Sequence, residues 1–165
     1  MTVFHFEKLA KQHELDAFDC GTLELNQFLV RYALQNQFSN AGQTYLCVGD
    51  GIVVGYFTLV VGEIAHDTPP ERLRKGLARY PIPVMVLARL AIDQAWQGQG
   101  LGLSSMKEVI VRTLHAADIA GIRALVVHAK DDAARKFYSH FGFEEGFSDP
   151  LHLYALTKDL KALIT

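Results

Sequence analysis

The sequence has few cysteines, no long apolar run and no histidine pattern typical of a metal site. Its two cysteines, Cys20 and Cys47, cannot form a disulfide framework, and neither belongs to a Cys-x-x-Cys pair for zinc or redox chemistry. The seven histidines lack His-x3-His and His-Glu-x-x-His spacing, so we expect no metal site. The longest apolar run, near residues 52–61, is interrupted by Gly55 and Thr58 and is far shorter than a membrane span.

The sequence also lacks an excess of charge of one sign. Sixteen Lys and Arg residues stand against eighteen Asp and Glu residues, so the formal net charge is −2, which excludes nucleic-acid binding through overall positive charge. The N-terminal segment carries Glu7 early and has no long apolar stretch. We therefore expect neither a signal peptide nor a membrane anchor, and a soluble cytoplasmic protein. The length of 165 residues predicts a single domain over residues 1–165. Half of these residues are hydrophobic, which is enough for a core.

Hydrophobic periodicity predicts a mixed α/β (α+β) fold. The predicted strands cover residues 3–8, 44–48, 52–64, 84–92, 124–129 and 151–156. The predicted helices cover residues 25–38, 103–117 and 131–141, and residues 71–77 are predicted to form either a short helix or a loop. The strand at 124–129 is almost wholly apolar, which is typical of a sheet covered on both faces.

A glycine-rich turn follows the strand at 84–92. Leu90-Ala91-Ile92-Asp93 leads into Gln97-Gly98-Gln99-Gly100-Leu101-Gly102 and then into a helix. Glycines let the backbone approach a ligand closely, and the amides of a first helical turn bind an anion such as pyrophosphate. A dinucleotide fingerprint needs a glycine where Leu103 stands, and a Walker loop needs a Lys-Ser/Thr pair that is absent here. The turn reads Gln-x-x-Gly-x-Gly.

That pattern resembles the acetyl-coenzyme A (acetyl-CoA) site of the GNAT N-acetyltransferases, whose signature is Arg/Gln-x-x-Gly-x-Gly/Ala. About thirty residues later, the segment from Ala133 to Phe143 is similar to the second landmark of that family, Ala-x-x-Phe-Tyr-x-x-x-Gly-Phe. Further segments resemble the GNAT toxins of bacterial toxin–antitoxin pairs, the TacT and AtaT group. They are Phe18-Asp19-Cys20-Gly21, Leu25-Asn26-Gln27-Phe28-Leu29, Gly55-Tyr56-Phe57-Thr58-Leu59 and Leu87-Ala88-Arg89-Leu90-Ala91-Ile92-Asp93.

The resemblance implies the GNAT fold, a central mixed, mostly antiparallel sheet flanked by helices, with acetyl-CoA in the splay between the fourth and fifth strands. It also implies Tyr138 as the general acid that protonates the leaving coenzyme A thiolate. The implied acetyl-CoA contacts are the backbone of Leu90, Ala91 and Ile92, the amides of Gln97, Gly98, Gln99, Gly100, Leu101 and Gly102, and Ala134 and Phe137 on the later helix.

For function, the resemblance implies acetylation of the α-amine of the amino acid on a charged tRNA, which blocks translation. A ribbon-helix-helix antitoxin and a homodimer are the implied partners, with residues 151–163 as a possible part of the dimer interface. Two alternatives remain open. One is a GNAT enzyme acting on a small-molecule amine or a protein N-terminus, and the other is an acyl-CoA-binding module without catalysis. The sequence departs from the toxin group at Gln43-Thr44-Tyr45, where an arginine often precedes Thr-Tyr.

The residues of the strand at 84–92 bear on the acceptor. No Asp or Glu occurs in that strand, so it supplies no general base beside the thioester. An α-amine, with a pKa of about 7.7–8.0, is partly neutral at pH 7, whereas a lysine side chain at about 10.4 needs help to lose its proton. The sequence therefore favours an α-amine acceptor, with Glu24 and Glu63 as candidate bases from elsewhere in the chain.

Residues 71–89 carry a local charge of +4, because five basic residues accompany only Glu71. Such a stretch suits the docking of one RNA end, although a solvated surface helix is the alternative. The predicted substrate-binding residues are Arg89, Arg79, Lys75, Arg74 and Glu63.

Overall fold

The computed structural model describes residues 1–65, 68–77, 81–147 and 149–164. The chain forms two compact units. The first comprises Met1–Val60 and Ala88–Val109, and the second comprises Val61–Leu87 and Ile110–Thr165.

Among the described residues, seven strands form one sheet in the order β1-β2-β3-β4-β5-β7-β6. They are β1 (Phe4–Lys8), β2 (Gln43–Gly49), β3 (Ile52–Ile64), β4 (Ile82–Ile92), β5 (Ala124–His128), β6 (Glu144–Glu145) and β7 (His152–Leu156). The β4–β5 pair is parallel, whereas β1–β2, β2–β3, β5–β7 and β6–β7 are antiparallel. The predicted mixed, mostly antiparallel sheet is confirmed.

Within the described ranges, six α-helices accompany the sheet. They are α1 (Leu23–Gln27), α2 (Ala33–Phe38), α3 (Glu71–Arg74), α4 (Leu101–Ile119), α5 (Asp132–Ser139) and α6 (Thr157–Ile164). A π-helical turn, Phe28–Tyr32, joins α1 to α2, and a 3-10 turn, Gln94–Trp96, precedes α4. The helix predicted over residues 25–38 is therefore correct in its extent and wrong in its regularity, because one turn in its middle has π geometry.

The first unit is built on the β1–β2–β3 meander. Asp50 and Gly51 connect β2 to β3 with φ angles of 52° and 75°, the two positive values that a type I′ hairpin turn requires. The core of this unit packs the buried side chains of the π turn and α2 against β2 and β3. It includes Phe18, Phe28, Leu29, Ala33, Leu46 and Tyr56.

The second unit is built around β5, whose first four residues are buried, as predicted for a strand covered on both faces. Its core joins Leu73 of α3 to Val84, Val126 and Tyr154. The guanidinium of Arg72 lies 3.1 Å from Glu144 Oε1 and 2.6 Å from Asp159 Oδ2.

Candidate active site

Strand β4 extends beyond its ladder with β5. The parallel register runs from Val84 to Leu87, and β4 then continues to Ile92. Leu90, Ala91 and Ile92, the residues predicted to pair with the pantetheine arm, lie in this continuation. The paired part of β4 therefore ends before these three residues, and their contact with the cofactor stays a prediction.

Gly55 of β3 lies against this end of β4. A Cβ at position 55 would come within 2.8 Å of Ile92 Cδ1 and 3.0 Å of the Ala91 carbonyl oxygen. The Ile92 side chain can turn aside, but a backbone oxygen held in a sheet cannot. Glycine at this position therefore lets β3 and β4 approach as closely as they do.

We expect Gly55→Val to displace the Ala91–Ile92 backbone. Overpacking of this kind costs about 1–3 kcal/mol of unfolding free energy, and displacement of the predicted pantetheine contacts should raise the KM for acetyl-CoA several-fold. Thermal unfolding and steady-state kinetics measure the two effects. Gly121→Val is the matched control, because a Cβ there meets no atom within 4 Å. Equal behaviour of the two variants would contradict the prediction.

The Asp93 side chain organises the turn after β4. Its carboxylate accepts the Ala95 N–H at 2.9 Å and the Asp19 N–H at 3.0 Å. The Asp93 N–H donates to the Val54 carbonyl oxygen at 2.8 Å, and the Gln94 N–H donates to the Asp19 carbonyl oxygen at 2.8 Å. The turn is thus tied to β3 on one side and to the loop before α1 on the other.

The Gln97 side chain braces the same turn. Its Nε2 donates to the Ile92 carbonyl oxygen at 2.9 Å and to the Cys20 carbonyl oxygen at 3.3 Å. Gly21, beside Cys20, has a φ of 92°, and a Cβ there would overlap the Gln94 side-chain amide. The sequence had indicated Gln97 only through its backbone amide, so this bracing role is an addition.

The glycines after Gln97 leave the backbone open to a ligand. Gly98 and Gly100 have φ angles of 79° and 82°, and a Cβ at either position would meet no atom within 4 Å. The first bond of α4 runs from the Ser104 N–H to the Gly100 carbonyl oxygen at 3.1 Å.

Because the first hydrogen bond of α4 is donated by the Ser104 N–H, the amides of Leu101, Gly102 and Leu103 have no acceptor within the helix. They lie at the positive end of a 19-residue helix. The start of α4 is held in place by Leu101, which is 4% exposed and packs with Cys47 and Val54. An accessible glycine turn that leads into a fixed helix start fits a pyrophosphate group.

Helix α5 carries the predicted general acid. The Asp131 carboxylate caps the helix by accepting the Ala134 N–H at 2.8 Å. Tyr138 is 8% exposed, and its ring lies edge-on to Phe137 and Phe143, with centroid separations of 5.2 and 5.8 Å. Burial raises the pKa of the Tyr138 phenol to about 12, so at neutral pH the group is protonated and can donate a proton.

The predicted substrate-binding residues that the structure describes belong to two different units. Lys75 and Glu63 are exposed and Arg74 is half-buried in the second unit, whereas Arg89 belongs to the first unit. Arg79 lies outside the described residues. The charge of Arg72 is matched by the carboxylates of Glu144 and Asp159, so the +4 stretch presents less free positive charge than its composition indicates.

A cleft of about 490 Å³ in the first unit adjoins Arg89. It is lined by the segment around the π turn and by two residues of β4, namely Glu24, Leu25, Gln27, Phe28, Tyr32, Ala88 and Arg89. The Arg89 guanidinium carbon lies 3.5 Å from the centroid of the Phe28 ring. The sequence had indicated Glu24 and Arg89 separately, and the structure places them in one cleft.

Two further features concern the described part of the chain. None of its helices is long and apolar enough to cross a membrane. Among these residues, no group of three or more His, Cys, Asp or Glu side chains could hold a metal ion.

Comparison with known proteins assigns the sequence to one family. An acetyltransferase (GNAT) domain family matches residues 40–145. The chain is 40% identical over 157 residues to a tRNA-acetylating toxin of Mycobacterium tuberculosis strain H37Rv, which covers 95% of this chain and 94% of that protein.

Two solved structures resemble the fold closely. AtaT complexed with acetyl-methionyl-tRNAfMet superposes with a TM-score of 0.90 at 28% identity and covers 99% of this chain and 100% of that one. A tyrosine-to-phenylalanine mutant of the AtaT toxin, bound to the C-terminus of the antitoxin AtaR and to acetyl-CoA, gives a TM-score of 0.82 at 27% identity and covers 98% and 97%. The chain therefore belongs to the GNAT family of acetyltransferases, among the relatives of the tRNA-acetylating toxins.

Proposed function

We propose that the protein transfers the acetyl group of acetyl-CoA to the α-amine of the amino acid on a charged tRNA and thereby blocks translation. The observation that carries this proposal is the 40% identity to a tRNA-acetylating toxin along nearly the whole chain. The AtaT relative bound to acetyl-methionyl-tRNAfMet supports it, because that molecule is a product of this reaction. The glycine turn that opens α4 supplies the anion site that the cofactor needs.

Acetyl-CoA supplies an activated acetyl group with a thiolate as the leaving group. We assign the backbone of Leu90, Ala91 and Ile92 to the pantetheine arm and the amides from Gln97 to Gly102 to the pyrophosphate. Ala134 and Phe137 lie on the same helix as Tyr138, and we assign them to the cofactor as well. The Tyr138 hydroxyl donates its proton to the departing sulfur, a role that its buried and protonated phenol can fill.

The proposed acceptor also follows from proton chemistry. The β4 strand carries no carboxylate, so a general base must come from another element or from water. An α-amine needs less such help near pH 7 than a lysine side chain, because roughly a tenth of its population is already neutral. The same reaction on a small-molecule amine or a protein N-terminus is the second candidate, since those acceptors can also be α-amines.

The proposal carries expectations about location and partners. Charged tRNA is a cytoplasmic substrate, so we propose that the protein acts in the cytoplasm. The AtaT relative bound to the C-terminus of AtaR supports an antitoxin partner for this chain, which we expect to be a ribbon-helix-helix protein. The homodimer and the single-domain organisation over residues 1–165 remain predictions.

An acetylation assay on total charged tRNA tests the function. We expect label from [14C]acetyl-CoA to appear in N-acetyl-aminoacyl-tRNA, and to be absent when the tRNA has first been deacylated. Parallel reactions with polyamines and with peptides that carry a free N-terminus test the second candidate. Label in those acceptors and none in charged tRNA would refute the toxin activity while leaving the acetyltransferase in place.

A further inference from the structure

The aromatic contacts of the first unit fix the position of the Arg89 side chain. Its guanidinium lies 3.5 Å from the centroid of the Phe28 ring, and that ring is only 6% exposed. Phe28 also stacks on Tyr56, with 6.4 Å between centroids and 24° between planes. Tyr56 is held in turn, because its hydroxyl donates to the Leu25 carbonyl oxygen at 2.7 Å. The cation is therefore fixed by a buried stack.

No carboxylate of the described residues pairs with Arg89. Arg72 and Arg135 differ in this respect, since each contacts two carboxylates. Asp93 follows Arg89 closely in sequence, but its carboxylate accepts the backbone amides of Asp19 and Ala95. A guanidinium presents five N–H donors in a planar fork, and stacking on a ring leaves those donors available at its edge.

The cleft beside Arg89 holds charge of both signs. Glu24 is exposed, and within the described ranges its carboxylate has no ion-pair partner. Tyr32 is 55% exposed and also lines the cleft. The wall between them contains the π turn Phe28–Tyr32, a rare backbone form that is frequent at functional sites.

We propose that this cleft receives the 3′ end of the aminoacylated tRNA, with Arg89 binding a phosphate of the terminal nucleotides and Glu24 facing the α-amine. This inference rests on the proposed function. A guanidinium fork matches a phosphate bidentately, and a carboxylate attracts the protonated form of an amine. The end of a charged tRNA carries both groups, whereas a small amine or an unmodified peptide N-terminus carries no phosphate. Phe28 is a positioning residue, because it acts through Arg89.

Replacement of Arg89 tests the phosphate contact. For Arg89→Gln we expect the KM for charged tRNA to rise about tenfold at low salt, since a charge-assisted hydrogen bond is lost. We also expect the slope of log(kcat/KM) against log[salt] to become shallower by about 0.7–0.9, the value of one phosphate contact. Because the fork is not assigned to the cofactor, the KM for acetyl-CoA should stay at the wild-type value.

Two further variants separate the charge of Arg89 from the geometry and positioning of its guanidinium, and a third variant is a control. Arg89→Lys should keep the salt slope and recover only part of the affinity, because a lysine has charge without a fork. Phe28→Leu should also keep the slope, and it should raise the KM for tRNA about threefold by loosening Arg89. Lys11→Gln removes one exposed charge of the same unit, outside the cleft, and should behave as wild type at low salt.

The amine contact has its own test. We expect Glu24→Gln to lower kcat for charged tRNA about tenfold and to leave the salt slope unchanged, because Glu24 faces the amine and not the phosphate. Glu14→Gln is the control, since Glu14 is exposed and lies outside the cleft.

The outcomes distinguish this inference from the proposed function. A wild-type enzyme that acetylates no charged tRNA would refute the function. A wild-type enzyme that is active on charged tRNA, with an Arg89→Gln variant of equal KM and equal salt slope, would refute only the role of the cleft. An equal rise in the KM for acetyl-CoA would also overturn it, because Arg89 would then serve the cofactor site. Efficient acetylation of a phosphate-free acidic peptide, if it depended on Arg89, would show that the cleft binds a peptide and not an RNA end.

Discussion

Replacing Tyr138 by phenylalanine is expected to lower kcat by about 10²- to 10⁴-fold, the usual contribution of a general acid. The substitution removes one oxygen atom and keeps the ring that lies against Phe137 and Phe143. The KM for acetyl-CoA should therefore change little. Release of free coenzyme A, followed with a thiol reagent, measures the loss.

The pH dependence provides a second measure of the same residue. Burial raises the pKa of Tyr138 to about 12, above the usual value near 10. The proton-donating form is present below this pKa and is lost only as the pH rises through about 12. The wild-type rate should therefore show no alkaline loss due to Tyr138 below about pH 11. The free energy of unfolding should decrease between about pH 10 and 12, because the unfolded chain ionises there first.

Tyr154→Phe is the matched control. Tyr154 is 1% exposed, belongs to the same unit, and contacts His152 Nδ1 through its hydroxyl at 3.1 Å. This variant loses a buried phenol without a proposed part in the reaction, so its rate should stay within about twofold of wild type. If Tyr138→Phe retained more than half of the wild-type kcat, another group would have to be the proton donor.

The second large effect is expected for Asp93→Ala, which should raise the KM for acetyl-CoA about 10- to 100-fold. The carboxylate accepts the Ala95 and Asp19 amides, and hydrogen bonds to a charged group contribute about 1.5–3 kcal/mol each. Without them, the turn that leads to Gly98 and Gly100 is no longer held in its binding conformation, so cofactor binding must order it again.

Steady-state kinetics and calorimetric titration with coenzyme A measure that loss. Asp93→Asn keeps one oxygen acceptor and should fall between wild type and Asp93→Ala. Asp16→Ala removes an exposed aspartate of the same unit and should leave the KM unchanged. If kcat falls and the KM stays constant for Asp93→Ala, the turn serves catalysis and not cofactor affinity.

Local sequence signals predicted much of the fold, because the forces concerned act between near neighbours. Asp50 and Gly51 take the positive φ angles of a hairpin turn, and this pair is a strong turn signal in the sequence. The apolar run at β5 predicted a strand buried on both faces. The glycines at positions 98 and 100 adopt positive φ, and their spacing, together with Phe137-Tyr138, was enough to indicate the family.

The features that the sequence left open either give no periodic signal or depend on residues far apart in the chain. The π geometry of Phe28–Tyr32 cannot be predicted from the spacing of apolar residues, because a single π turn and an α-helical turn bury nearly the same side chains. The bond from the Ala95 N–H to the Asp93 carboxylate is local, and the position of Asp93 two residues before Ala95 is enough to predict it. Its bond to the Asp19 amide was not readable, because no periodicity connects two loops. The stacking of Arg89 on Phe28 is a long-range contact of the same kind.

The bonds between Asp19 and the turn at Asp93 and Gln94 also have a consequence for chain length. They close a loop of more than seventy residues, so the turn from Asp93 to Gly102, which we assign to the cofactor, acquires its final shape only after the chain has been synthesised and folded beyond Trp96. A fragment that begins after Asp19 keeps every glycine of the turn and still loses two of the bonds that shape it. Removal of the N-terminal segment, by proteolysis or by a misplaced start codon, is therefore expected to weaken acetyl-CoA binding, as Asp93→Ala does.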